Sequence, residues 1–201
     1  MTPAGITAVS LSYLVGSIPT AYLLVRGLKQ VDVRTIGSGN VGATNASRVL
    51  GAKGAAVVFL LDLAKGLAAA RLIAPWCVPW AGVRGELACG LAAVLGHNFP
   101  VFLRFRGGKG VSTTIGVLAG TMPAVALICA AIGAGVFWRW RFVSLASLTA
   151  AAVVPIVQAL TGQPPSHIIL GAVLSGLILV RHRQNIRRLR AGTELRAGRR
   201  S

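Results

Sequence analysis

Three stretches carry side chains able to do chemistry: GSGNVGATNASR at 37–48, RFRGGKGVST at 104–113 and RHRQNIRR at 181–188. In the first, Gly37, Gly39 and Gly42 permit turns and a close backbone approach. Successive N–H groups in such a loop form an anion-binding concavity. Ser38, Asn40, Thr44 and Asn45 add neutral hydrogen-bonding groups, and Arg48 can hold phosphate oxygens in a bidentate fashion. The same residues would also serve a plain connector with turns and a helix cap, and spacing alone leaves both readings open. The pattern is neither a Walker loop nor a strand-linked dinucleotide fingerprint. In the second stretch, Gly107, Gly108 and Gly110 surround Lys109 just before Ser112, Thr113 and a long apolar run. A glycine turn opening into a helix is a natural phosphate site, because its free N–H groups point outward, with Lys109 as a mobile cation. Arg104 and Arg106 fit headgroup anchoring equally well. Upstream, His97 and Asn98 precede Pro100, which can bend the chain. In the third stretch His182 and Asn185 share a face if the segment is helical. His182 can exchange a proton near neutrality, and Asn185 can position a hydroxyl or phosphate without adding charge.

What is scarce limits the chemistry. The chain holds four acids, Asp32, Asp62, Glu86 and Glu194. A two-metal phosphoryl-transfer site needs several oxygen ligands, and a Ser-His-Asp system needs an acid near its histidine. Neither is suggested by these loops. Cys77, Cys89 and Cys129 have no metal-ligand spacing. No cofactor or metal is expected. What remains is the joint binding of two anions, which suits a reaction between phosphorylated compounds at a lipid interface.

The elements that must position these residues are membrane helices. Of 201 residues 54% are apolar and 12% charged, and the mean hydropathy is +0.71. A water-exposed surface needs roughly twice that charged fraction. The net charge of +17 raises nucleic acid as a partner. The basic residues, however, sit between and after the apolar runs, as in cytoplasmic loops facing anionic headgroups or phosphorylated substrates. A first span is expected from Ile6 to Val25, retained rather than cleaved and kinked at Pro19. Residues 26–54 read as a polar cytoplasmic loop, and a second span as 55–74, with Asp62 and Lys65 one turn apart. Their pairing is the favoured reading over a direct chemical role. A Pro/Trp/Gly connector at 75–85 reads as external, and a third span as 87–103. If 111–138 were one helix, the arginine-rich tail would end outside, against the positive-inside rule. Splitting it near Gly120–Pro123 into a short helix at 108–120 and a span at 123–138 puts every basic loop on one side. Spans at 142–160 and 167–180 follow. The expected fold is an all-α integral membrane protein, a compact bundle of seven membrane helices with a short or broken fourth. Its N-terminus lies outside and its C-terminus in the cytoplasm. Residues 1–201 form a single domain with a short basic tail. All three polar stretches then lie on one membrane face. An alternative of a different class is a transporter of a phosphorylated solute, which also suits basic loops and broken helices.

Read together and in order, DVRTIGSGNVGATNASR, DLAKG, GHNFPVFLRFRGGKGVST, RFVSLAS and HRQNIRRLRAGTE resemble the bacterial membrane glycerol-3-phosphate acyltransferase family that uses acyl phosphate, the PlsY family. The resemblance covers nearly the whole chain. Ser112 departs from it where alanine is common. It implies seven membrane helices and an active site open to the cytoplasm, in a multi-pass protein of the bacterial inner membrane. The implied reaction acylates the 1-hydroxyl of glycerol 3-phosphate, giving lysophosphatidic acid and inorganic phosphate for phospholipid synthesis. Acyl phosphate, glycerol 3-phosphate and membrane phospholipids are the implied partners, with no nucleic acid and no obligate protein. The resemblance implies that Ser38, Gly39 and Asn40, with the backbone around Gly42, cradle acyl phosphate, and that Thr44 and Asn45 complete the wall. Arg48 and Lys109 engage the phosphate of glycerol 3-phosphate beside Gly107, Gly108 and Gly110. His182 and Asn185 serve that substrate, and Ser144 lines the site. The glycerol hydroxyl would attack the acyl-phosphate carbonyl directly, without an acyl-enzyme.

Overall fold

The structure, a computed structural model, describes residues 2–77 and 83–198. Residues 78–82, within the connector read as external, lie outside the described residues. The chain forms two compact units, residues 1–121 and 122–201.

The first unit opens with α1 (Pro3–Ser17), begun by Pro3 and by Thr2, whose Oγ1 accepts from the Gly5 N–H at 3.2 Å. The chain breaks before Pro19. Helical backbone is disfavoured for a residue preceding proline, and Ile18 is extended at ψ 116°. Helix α2 (Thr20–Lys29) resumes and ends at Gln30 in the left-handed region. Helix α3 (Ala43–Ala68) follows, interrupted at Gly51 with φ 69°. The loop read over 26–54 is therefore corrected. Only 30–42 lies between helices, because Ala43–Arg48 already forms the first turns of α3 with Gly42 as its N-cap. The chain continues through a π turn at Ala69–Ile73 and a 3-10 turn at Ala74–Cys77. Helices α4 (Val83–Asn98) and α5 (Val111–Thr121) complete the unit, joined by a 3-10 turn at Val101–Leu103.

Between helices in lipid no hydrophobic drive exists, so close van der Waals packing at small residues must hold them. Helices α1 and α4 touch backbone to backbone: a Cβ on Gly16 would lie 2.1 Å from the Ala93 carbonyl oxygen. The same holds for α3 and α5, where a Cβ on Gly66 would lie 2.1 Å from the Thr113 oxygen. Asp62 and Lys65 form the expected pair at 2.7 Å, buried inside this unit.

The second unit holds α6 (Pro123–Trp140), α7 (Val143–Leu160), α8 (Pro165–Arg181) and α9 (Arg183–Arg190). The long apolar run is split at Met122, as the charge argument required, leaving α5 at 11 residues. Helices α8 and α9 meet at 61°. Among the described residues four helical segments are long and apolar enough to cross a bilayer, or five if the bent α8–α9 pair counts as one. The fold is an all-α integral membrane fold.

Pro155 sits inside α7. Having no N–H, it leaves the carbonyl of Ala151, four residues back, without its helical donor. In hydrocarbon that oxygen needs another donor, and Ser175 Oγ on α8 supplies it at 2.6 Å. The expected cost of Ser175→Ala is about 1 kcal/mol. In a Pro155→Ala background, where the restored N–H can take the same oxygen, the cost should shrink toward zero. Thermal unfolding in detergent of the four proteins in this cycle reads the coupling. Equal costs in both backgrounds would refute the pairing.

Candidate active site

The first unit presents two glycine loops. In the 37–42 loop Gly37 and Gly39 adopt φ +53° and +68°, conformations that favour glycine. Asn45 ties the loop to the start of α3. Its Nδ2 donates to the carbonyls of Val33 (2.8 Å) and Ile36 (3.0 Å), and its Oδ1 accepts from the Ser38 N–H (3.3 Å). The buried Asn45 thus acts as a clamp on the loop. Arg48 lies against the same turn, for a Cβ on Gly37 would come within 2.8 Å of its Cδ and Nε. Thr44 and Arg48 are exposed and stand four residues apart on the first turns of α3, so they share its face. Ser38 is also exposed, Gly39 and Gly42 are half-buried, and the Asn40 Oδ1 is buried without a side-chain hydrogen bond. Asp32 and Arg34 close the near edge through an ion pair at 2.6 Å. The side-chain hydrogen bond from Arg34 outweighs the small effect of burial and lowers the Asp32 pKa.

In the second loop, the Gly107 N–H donates to the Asn98 carbonyl (3.2 Å) and the Gly108 N–H to that of His97 (3.0 Å). These N–H groups build the turn, which corrects the expectation that they point outward. Both glycines are buried by steric need: a Cβ on Gly107 would meet the His97 oxygen at 2.2 Å, and one on Gly108 the His97 ring at 2.0 Å. Gly110, at φ +81°, leads into α5. Lys109 is half-buried on this turn. This unit therefore brings together Ser38, Gly39, Asn40, Gly42, Thr44, Asn45 and Arg48 on one loop-helix junction, and Gly107–Gly110 on another.

The second unit gathers Ser144, His182 and Asn185, all buried. His182 stands at the bend between α8 and α9. A carbonyl only accepts, so the 2.8 Å contact from His182 Nδ1 to the Ile178 oxygen places the proton of the neutral ring on Nδ1. Glu194, which sequence reasoning treated only as one acid in a basic tail, is the hub here. Its Oε1 accepts from Ser144 Oγ (2.6 Å) and Asn185 Nδ2 (2.5 Å), and its Oε2 from Arg188 Nε (2.6 Å). The Ala197 N–H to the Arg141 carbonyl (2.8 Å) fixes the tail beyond it. The signal was present in the sequence: one acid in a segment of eight arginines. Burial works to raise the Glu194 pKa, but the hydrogen bonds from Ser144, Arg188 and Asn185 prevail and hold it below the ordinary glutamate range.

These clusters and the apolar helices define a polytopic membrane protein with cationic, hydrogen-bonding sites suited to phosphate. Residues 6–192 match the family described as Glycerol-3-phosphate acyltransferase. A glycerol-3-phosphate acyltransferase of Thermoanaerobacter pseudethanolicus is 43% identical over 195 residues, covering 97% of this chain and 96% of its own. One of Sinorhizobium medicae is 45% identical over 196 residues, covering 98% and 94%. Two crystal structures of PlsY, an integral membrane glycerol 3-phosphate acyltransferase, match at 42% identity, with TM-scores of 0.87 for the glycerol 3-phosphate form and 0.85 for the lysophosphatidic acid form. The first covers 96% of each chain, and the second 96% of this chain and 95% of its own. The chain belongs to the PlsY family of glycerol-3-phosphate acyltransferases.

A depressed folded-state pKa means that the Glu194 contribution is whole above the ordinary glutamate range and is lost as pH falls through that range toward the folded value. Protease nicking of the 191–198 segment should therefore increase on acidification. In Glu194→Gln it should be high at neutral pH and nearly independent of pH. Nicking as slow in the variant as in the wild type would count against the hub.

Proposed function

We propose that each polar cluster of this chain serves one reaction: transfer of the acyl group of acyl phosphate to the 1-hydroxyl of glycerol 3-phosphate, forming lysophosphatidic acid and inorganic phosphate. Family membership carries the reaction. The clusters described above supply the roles. Ser38, Gly39 and Asn40, with Gly42 and Thr44 beside them, bind the acyl phosphate, on a loop that Asn45 holds in shape. Arg48 and Lys109 bind the phosphate of glycerol 3-phosphate, with Lys109 carried on the turn of Gly107, Gly108 and Gly110. His182 and Asn185 orient the glycerol, and Ser144 lines the cluster. The chain works as a single acyltransferase domain of seven membrane helices in the bacterial cytoplasmic membrane. Its N-terminus is outside, and its C-terminus and active site face the cytoplasm. The basic loops support that orientation.

The hydroxyl oxygen attacks the acyl carbonyl carbon, a C–O bond forms, and the bond from that carbon to the phosphate oxygen breaks. Phosphate departs as a base and takes up the proton the hydroxyl loses, so atoms and charge balance without a protein acyl intermediate. Orientation and electrostatic stabilisation remain for the protein to provide. With its proton on Nδ1, neutral His182 offers Nε2 as a hydrogen-bond acceptor to the hydroxyl.

Purified protein supplied with glycerol 3-phosphate and an acyl phosphate should form lysophosphatidic acid in detergent, without an ion gradient. Absence of ester product across several acyl lengths would defeat the reading. A transporter would instead move a phosphorylated solute across sealed vesicles. His182→Gln keeps an acceptor but cannot take a proton. Its turnover at saturating substrates should fall by about tenfold, with the shape of the pH profile kept. A loss of several hundredfold with a flattened profile would make His182 a base.

A further inference from the structure

Beneath the two glycine loops of the first unit lies a buried polar cluster to which the proposed reaction assigns no part. Asp62 Oδ1 accepts from Thr20 Oγ1 at 2.5 Å and from Lys65 Nζ at 2.7 Å. Lys65 Nζ also donates to Thr20 Oγ1 at 3.3 Å and to the carbonyl of Ile18, exposed by the helix break before Pro19. His97 Nδ1 stands 3.6 Å from the same carboxylate oxygen. The opposite edge of the imidazole abuts the Lys109 turn: a Cβ on Gly108 would fall 2.0 Å from Nε2 and under 3 Å from Cε1 and Cδ2. The backbone of His97 binds that turn as well, through its carbonyl and the Gly108 N–H. A recess lined by Ser17, Thr20, Val41, Asp62, His97 and Pro100 runs along this contact, bringing the residue after Asn40 beside it.

We propose that Asp62 is a positioning residue for the Lys109 turn and acts through the His97 ring. Three observations carry it. First, charges buried this deeply are costly unless they are fixed by several partners, and here Thr20, Lys65 and the Ile18 carbonyl fix them. The carboxylate is therefore a rigid reference point in the bundle. Second, the ring bridges that reference and the glycine turn, touching one at each edge. Third, the turn is seated on this residue twice, through the Gly108 N–H bond to the His97 carbonyl and through the close approach of Gly108 to the His97 ring. A turn set this way fixes the Cα of Lys109 and hence the reach of its ammonium.

The inference rests on the assignment of Lys109 to glycerol 3-phosphate, and the test separates the two. Steady-state kinetics for both substrates, with thermal unfolding in detergent, are measured for Lys109→Met, His97→Ala, Asp62→Asn and the Asp62→Asn/His97→Ala double variant. Lys109→Met should raise the KM for glycerol 3-phosphate by tenfold or more. If it does not, the assignment of Lys109 fails and this inference fails with it. His97→Ala should raise the same KM about tenfold, leaving the KM for acyl phosphate within about twofold and the unfolding temperature within a few degrees. Asp62→Asn should raise it about fivefold, and the double variant no further than His97→Ala alone, because both changes cut one line of contact. If Asp62→Asn does not accumulate folded, Thr20→Val, which removes only one donor to the same oxygen, takes its place in the cycle. A KM effect for Lys109→Met without one for His97→Ala overturns the relay and leaves the Lys109 assignment standing. Effects that multiply in the double variant, or equal KM increases for both substrates with a lowered unfolding temperature, also overturn it.

Discussion

In hydrocarbon, every carbonyl that a broken helix releases must find a donor within the protein. This chain is broken often, and at three of the breaks a side chain donates to a nearby carbonyl. Before Pro19 the Ile18 oxygen takes the Lys65 ammonium. Four residues before Pro155 the Ala151 oxygen takes the Ser175 hydroxyl. At the end of α8 the Ile178 oxygen takes both the backbone N–H and the Nδ1 of His182. Lys65, Ser175 and His182, buried polar residues of an otherwise apolar bundle, thus donate where proline or a bend interrupts the helical ladder.

That constraint also explains why polar chemistry is possible here at all. Breaks admit loops, and loops admit glycine turns and cations close to the bilayer. The cost is charge buried in a poorly solvating interior, and Asp62 and Lys65 meet it by pairing and by sharing Thr20. Lys65 has a second use as a donor to the Ile18 carbonyl, which the Thr20 N–H also reaches. His182 combines the two needs on one ring, because the bond that serves the α8 terminus also fixes its tautomer.

Much of this was legible in the sequence. The split of the 111–138 run followed from charge placement alone, because one long helix would have carried the arginine tail to the wrong side. The glycines at 37, 39, 107, 108 and 110 announced turns, and the Asp62–Lys65 spacing announced a pair. The start of α3 was not legible, since Thr44, Asn45 and Ser47 are weak helix formers in a glycine-rich setting. Tertiary contacts from Asn45 to the carbonyls of Val33 and Ile36 hold that junction, and no local pattern encodes them. The reason for the glycines at 107 and 108 was misjudged for a related cause. Spacing tells that something approaches the backbone, but not whether it is a ligand or the ring of His97. Glu194 was passed over because its partner Ser144 lies 50 residues away.

Glu194 shows how the second cluster divides its labour. A general base needs a lone pair directed at the proton it takes. Both oxygens of Glu194 already accept strong hydrogen bonds, from Ser144 and Asn185 on one and Arg188 on the other. Those bonds favour the ionised carboxylate and weaken it as a base. Its effect is to hold Ser144 on α7 and Asn185 on α9 to a single point, so that two helices and the tail share one anchor. The cluster is thus a set of neutral hydrogen-bonding groups held in place by a single charge. In the proposed reaction those groups would meet the glycerol substrate, and the leaving phosphate of acyl phosphate would bring the base that Glu194, so engaged, does not supply.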